Sequence, residues 1–239
     1  MNYEFSASSA HPRLLILLTD ELEESVKLVN HIIDSIIERN YNGSYPKNRF
    51  FITVIGYNKE TNVLLSGYLR EIDENPLSIK SEMVKIPDGA GGVVQVERKR
   101  LIWIEPQKSN PNIENYPKVI CLAKELSQKW LADNKILAPI VIDISNEAHV
   151  ENAETEIIQL KDVTSKDGQI LFFGTYLTEN KDIKDIFSKM PEVWKYKFER
   201  CGLDERDYLS GMLDRNKIFV MLSAITDFGG EVAFDGFNE

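Results

Sequence analysis

From Arg13 to Thr19 the chain is almost unbroken apolar sequence, Leu14-Leu15-Ile16-Leu17-Leu18, without polar alternation. A strand covered on both faces of a parallel sheet reads this way. Val26, Val29, Ile33, Ile36 and Ile37 then recur at helical spacing. They predict a helix that opens near Ser25 and stops near Asn40, where Asn42-Gly43-Ser44 and Pro46 break the pattern. Burying that stripe contributes roughly 7–15 kcal/mol of gross transfer energy. His31 lies off it and is expected to face solvent. A second run, Phe50 to Tyr57, predicts another buried strand. Strand, helix and strand together imply a right-handed parallel crossover.

From Asn62 to Ile104 the texture changes to strand-like pieces, with no helix expected. Leu64–Ile72, Ile79–Ile86 and Val93–Ile104 read as strands, and Asp88-Gly89-Ala90-Gly91-Gly92 as the turn between the last two. Alternation of helix and strand then resumes. Val119, Leu122, Ala123, Leu126 and Trp130 form a helical stripe, and Ala138–Ile144 a buried strand. Residues 150–167 read as a helix with Ile157, Ile158 and Leu160 apolar, and Gln169–Leu177 as a strand. Short helices over Ile183–Met190 and Val193–Arg200, and a strand over Lys217–Leu222, complete the pattern. The reading is α/β: a Rossmann-like fold whose central, mostly parallel sheet has helices on both faces, with a β-hairpin insertion around residues 62–104. It divides into an N-terminal arm (1–12), a single domain (13–228) and a flexible acidic tail (229–239).

Composition narrows the function. The 43% hydrophobic content supports a substantial core, and the net charge is −10, from 38 acidic against 28 basic residues. Such a surface disfavours nucleic acid and anionic membrane. Arg98-Lys99-Arg100 is the tightest basic cluster and reads as a solvated strand end. Cys121 and Cys201 are far apart and lack metal-ligand spacing, which fits reduced thiols in the cytoplasm. Neither a signal peptide nor a transmembrane span is expected.

Candidate chemistry gathers at strand ends, where open α/β sheets bind ligands. Three segments should converge there: Asp20 to Ser25, the loop around Asn115-Tyr116-Pro117, and Ser145-Asn146-Glu147. The strand ending in Asp20 combines with Val54-Ile55-Gly56-Tyr57, Pro87 to Gly92, Trp103-Ile104-Glu105-Pro106 and Pro139 to Ser145. In that order and spacing, from about residue 13 to 228, the chain resembles the von Willebrand factor A (vWA) domain, in particular bacterial cytoplasmic vWA proteins of the tellurite-resistance type. The resemblance implies a metal-ion-dependent adhesion site for magnesium or manganese, built from Asp-x-Ser-x-Ser, a Thr and a second Asp. A hard divalent ion wants oxygen ligands in octahedral array, with one position left for a partner.

The chain departs from that pattern at most positions. Asp20 matches the first Asp, but Leu22 and Glu24 stand where the serines belong, Tyr116 where the Thr belongs and Asn146 where the later Asp belongs. The expectation is a degenerate site in which Asp20 caps a helix and Glu23 completes a capping box. The alternative is a rebuilt site in which Asp20, Glu24 and Asn146 hold magnesium, manganese or calcium, Glu21, Glu23 and Glu147 adding to the field. His149 is expected at the surface, and Asp143 as a satisfied polar group on a covered face. The expected function is a non-catalytic protein-interaction module without a cofactor. Its partner-binding rim comprises Leu22, Glu24, Tyr116, Asn146 and Glu147. The resemblance implies signalling or stress-response partners, including a kinase and phosphatase system. The alternative function is a cation-dependent ligand binder.

Overall fold

The computed structural model describes residues 7–87, 92–133, 135–146 and 149–176. β1 (Arg13–Thr19) leads into α1 (Glu23–Asn40), β2 (Phe50–Gly56), β3 (Asn62–Tyr68) and α2 (Leu69–Glu74). A ribbon of β4 (Ser78–Pro87) and β5 (Val93–Ile102) follows, then α3 (Tyr116–Ala132), β6 (Ile140–Ser145), α4 (Glu154–Lys161) and β7 (Leu171–Tyr176). The main sheet runs β3-β2-β1-β6-β7. β1 pairs parallel with β2 and β6, β6 pairs parallel with β7, and β3 is an antiparallel edge. This is a mixed α/β fold with a mostly parallel central sheet.

The unbroken apolar run of β1 follows from its place in the middle of that sheet, where all its residues are buried. Successive strand residues point to opposite faces. Leu14, Ile16 and Leu18 enter a core with Tyr116, Val119, Ile120 and Ala123 of α3 and Ile157 and Leu160 of α4. α1 packs against β1 and β6 from the other face and buries Val26, Val29, Ile33, Ile36 and Ile37, the stripe its spacing predicts. His31 is only half-buried there.

Three expectations need correction. Leu64–Ile72 is not one strand: β3 ends at Tyr68 and α2 begins at Leu69. Leu69 and Ile72, three apart, are both buried on one side of that turn, and the Glu71 carboxylate accepts the Tyr68 N–H at 2.9 Å. The insertion is therefore smaller than 62–104, because β3 belongs to the main sheet and, among the described strands, the ribbon forms a sheet of its own. Residues 150–167 are not one helix. A 3-10 turn over Val150–Ala153 precedes α4, and the chain turns at Ser165 to Gly168, where the Ser165 hydroxyl accepts the N–H groups of Asp167 and Gly168. Ile158 consequently points outward and is exposed. The turn between β4 and β5 over 88–91, the arm over 1–6 and everything expected beyond Tyr176 lie outside the described residues.

Two polar links join the layers. The Asn30 side chain on α1 donates to the carbonyls of Val26 and Ile104 and accepts the N–H groups of Trp103 and Ile104, so the base of the ribbon is sewn to α1. At the opposite end of β1, the Arg13 guanidinium meets the Asp167 carboxylate at 3.1 Å with both side chains fully buried. Arg13 also donates to the Ala138 carbonyl, and Ala138 N–H donates to Asp167. The pair thereby ties the start of β1 to the segments entering β6 and β7. Breaking a buried pair strands a charge, whereas replacing both partners by apolar groups often does not. Arg13→Met is expected to cost about 3–5 kcal/mol in denaturant unfolding, and Arg13→Met with Asp167→Leu to recover much of that loss. Arg70→Ala, which removes an exposed pair with Glu74, is expected to leave the unfolding curve nearly unchanged.

Candidate functional site at the strand ends

β1 delivers Asp20 to the carboxyl edge of the sheet as a buried carboxylate, 1% exposed. Buried carboxylates need hydrogen-bond donors, and Asp20 has three. Oδ1 accepts the Leu22 N–H at 3.0 Å, which closes a local turn. Oδ2 accepts the backbone N–H of Asn146 at 2.7 Å and its side-chain Nδ2 at 3.2 Å. The same Nδ2 donates to Ser25 Oγ at 3.1 Å. A carboxylate on one side and a hydroxyl on the other fix the Asn146 amide with its nitrogen inward. β1, α1 and β6 are thus joined at their ends by one amide group.

Asp20 does not cap α1. Leu22 occupies the N-cap position and no side chain caps it, because Asp20 spends its oxygens on Leu22 N–H and Asn146. Glu23 does not close a capping box either, since its carboxylate pairs with Lys27 at 2.8 Å. Glu24 also meets Lys27, at 2.9 Å, and its side chain is 50% exposed. The set expected to hold a cation is therefore split: Asp20 and Asn146 meet, while Glu24 pairs with Lys27 on the solvent side of α1. Leu22 offers no ligand atom, and the group of Asn146 that faces Asp20 is a donor. These residues do not fit an octahedral divalent ion. Among the described residues no three His, Cys, Asp or Glu side chains gather as a metal group would.

A second knot sits beside the first. Glu21 adopts φ of +59° and is buried. Its N–H donates to Thr19 Oγ1, its carbonyl accepts Gln107 N–H, and its carboxylate accepts Asn58 N–H at 3.0 Å. Asn58, fully buried just past β2, donates from Nδ2 to the carbonyls of Asp20 and Ser109 and accepts the Ser109 hydroxyl at 2.6 Å. Its carbonyl accepts Asn112 N–H. Asn58 thus holds the end of β1 to the long loop before α3. Gly56 leaves room for this arrangement: a Cβ there would lie 2.4 Å from Glu21 Oε1. A left-handed, buried, acidic residue at a strand end is the kind of strain that a tightly determined loop sustains.

Tyr116 takes a different place from the rim expected of it. It is fully buried, and its hydroxyl donates to Asp143 Oδ2 at 2.9 Å, while the Tyr57 hydroxyl reaches Oδ1 at 3.4 Å. Asp143 is thus the satisfied buried polar group that the sequence suggests. His149, expected at the surface, is 4% exposed and stands edge-on to Tyr57 and Tyr116, with ring centroids 6.2 and 5.5 Å apart. Of the expected rim, Leu22, Glu24 and Asn146 reach solvent at least in part, Tyr116 does not, and Glu147 lies outside the described residues. Asn58 and Ser109 stand outside the three segments expected to converge, whereas Ser25 ends the first of them. Asn58 stands two residues past β2 as Glu21 stands two past β1, so a search just beyond the strand ends reaches both.

Burial pushes the Glu21 carboxyl above its ordinary value of 4.5, the Asn58 N–H opposes this, and the nearby Asp20 charge adds to the rise. A raised carboxyl means the native state favours the protonated form. Its stabilising share is complete below about pH 4.5 and is lost as pH rises through the higher folded value. Glu21→Gln keeps an oxygen for Asn58 N–H and removes the buried charge. It is expected to melt at a higher temperature than wild type at pH 7, with the difference vanishing below pH 4.5. Thermal melts across that range check the sign. Compared with known proteins, the chain matches no family model and no curated protein.

Proposed function

We propose that this chain is a vWA-like protein-interaction module whose strand-end crevice is held by an amide instead of a divalent cation. The observation that carries this reading is the sharing of the Asp20 carboxylate among three N–H donors, two of them from Asn146. In the family that the sequence resembles, a cation links the first and the later loop. Here the Asn146 Nδ2 provides a link between the corresponding segments, with Ser25 as its second acceptor. The partner docks on the rim above that link, through Leu22, Glu24 and Asn146. It is a protein of the signalling or stress-response kind that the resemblance implies. The charge-paired first turn of α1 presents Glu23 and Glu24 to it with their acidity balanced by Lys27. No helix among the described residues is long and apolar enough to cross a membrane.

Capture from the native cell, read by mass spectrometry, tests the rim. A defined protein is expected to be retained with a chelator present, and lost in a Leu22→Glu, Glu24→Lys variant that melts like wild type. Retention by both forms alike would refute the rim. Retention only when a divalent cation is present would favour the cation-dependent binder.

The amide link has its own test. Asn146→Asp sets two carboxylates against each other and is expected to cost about 2 kcal/mol or more, seen as a lower melting temperature. Millimolar magnesium or calcium is expected to raise the melting temperature of Asn146→Asp and to leave that of wild type unchanged. A rise in wild type would overturn the amide reading.

A further inference from the structure

The loop over 41–46, which joins α1 to β2, carries the single Asn-Gly pair of the sequence, Asn42-Gly43. Asn42, Gly43 and Ser44 are all exposed. The loop is closed at its base: Tyr41 and Pro46 bridge, the Asn42 N–H donates to the Tyr45 carbonyl at 3.3 Å, and the Lys47 N–H donates to the Asn40 carbonyl at 2.9 Å. At the tip, Gly43 adopts φ of +84°, and a Cβ there would meet nothing within 4 Å. Among the described residues, neither the Gly43 N–H nor the Asn42 side chain has a hydrogen-bond partner. An unheld backbone nitrogen thus directly follows an unheld amide, and glycine puts no side chain in the way.

We propose that Asn42 is a site of covalent self-modification, at which the Gly43 nitrogen converts the Asn42 amide to aspartate and isoaspartate in the folded chain. Loss of a proton to solvent makes the Gly43 nitrogen the nucleophile. It bonds to the Asn42 side-chain carbonyl carbon, the bond from that carbon to Nδ2 breaks, and Nδ2 leaves as ammonia after taking up protons from water. The product is a cyclic imide across residues 42 and 43. Water then opens the imide at either carbonyl. Breaking the ring bond to the side-chain carbonyl gives aspartate, and breaking the bond to the main-chain carbonyl gives isoaspartate. The balance is one water consumed and one ammonia released, with no oxidant, reductant or donor group.

The fold withholds the same chemistry elsewhere. Asn30, Asn40, Asn58 and Asn115 are buried, and each spends its amide nitrogen on backbone carbonyls. Asp167-Gly168 could close the same imide, but Asp167 is buried against Arg13 and the Gly168 N–H donates to Ser165 Oγ at 3.2 Å. The flanks of the 41–46 loop are held on α2, through the Tyr41 hydroxyl on Asp73 and the Arg70 guanidinium 4.6 Å from the Tyr45 ring centre. Conversion therefore alters the tip, where isoaspartate lengthens the main chain, and leaves the anchors in place. It adds a negative charge at the carboxyl end of α1, which with 18 residues puts the mark about 27 Å from the rim. The mark accumulates with the age of the molecule.

The test is to hold the full chain folded in mildly alkaline buffer and map its peptides by mass spectrometry at intervals. Isoaspartate is counted by methyl transfer from S-adenosylmethionine with an isoaspartyl methyltransferase. Asn42 should convert at least about tenfold faster than any other described asparagine, and faster still as the buffer is made more alkaline. Asn42→Gln, which must close a larger ring, should slow conversion at that position at least about tenfold while melting like wild type. Unfolding in urea should change the Asn42 rate only a few-fold and should release isoaspartate at Asp167, which the folded chain withholds. An Asn42 that keeps its amide in the folded chain while losing it in urea would overturn the proposal, because the loop would then be protecting it. So would folded-chain conversion led by a buried asparagine, or an Asn42→Gln chain that gains isoaspartate as fast as wild type.

Discussion

Three N–H groups share the two oxygens of one buried carboxylate, and the carboxyl edge of the sheet is organised around that arrangement. Without Asn146, Asp20 would keep only the Leu22 N–H among these donors, at a site 1% exposed. A buried carboxylate so poorly served would be costly. Asn146 supplies two donors at once, one from its backbone and one from its side chain, and spends the second hydrogen of that side chain on Ser25. The link is directional where a cation would be radial. It sets the rotation of the amide as well as the distance between β1 and β6, and so fixes which atoms face the rim.

The other end of β1 is held by the opposite kind of chemistry. Arg13 and Asp167 form a fully buried ion pair, reinforced by the Ala138 backbone. Both ends of the central strand are thus tied toward β6 and β7 by polar groups in an otherwise apolar layer. Such contacts add little net stability against an apolar alternative. Their consequence here is register: a one-residue slip of β1 would separate Asp20 from Asn146 and Arg13 from Asp167 together, and turn Leu14, Ile16 and Leu18 away from α3.

Much of this architecture is legible in the sequence, for a definite reason. β1, α1, β2 and the ribbon strands are set by local periodicity, and those signals are strong. α2 is not legible in the sequence because Leu64–Ile72 contains both a period-two and a helical spacing, and the buried pair Leu69 and Ile72 decides between them only in three dimensions. Tyr116 lies in the core instead of on the rim for a reason the sequence contains. It stands three, four and seven residues before Val119, Ile120 and Ala123, so it belongs to the buried stripe of α3 and not to the rim. The site was legible as far as strand ends announce it, which is Asp20 and Asn146. Its bonding is not legible, because Glu24 turns to its helical neighbour Lys27 while Asn58 acts on a loop 51 residues away.

The strand-end rim and the β4–β5 ribbon are different kinds of surface. The rim is small, polar and already internally bonded, so a protein docking there displaces few waters from apolar surface and gains its specificity from shape and charge. The ribbon instead shows Ile79 and Met83 largely exposed. Asn30 and Trp103 anchor its base to α1 and α2, so it is mounted on the same helix that begins at the rim. A force on the ribbon is therefore passed to the helix whose first turn carries Leu22 and Glu24, through buried hydrogen bonds and not through the sheet.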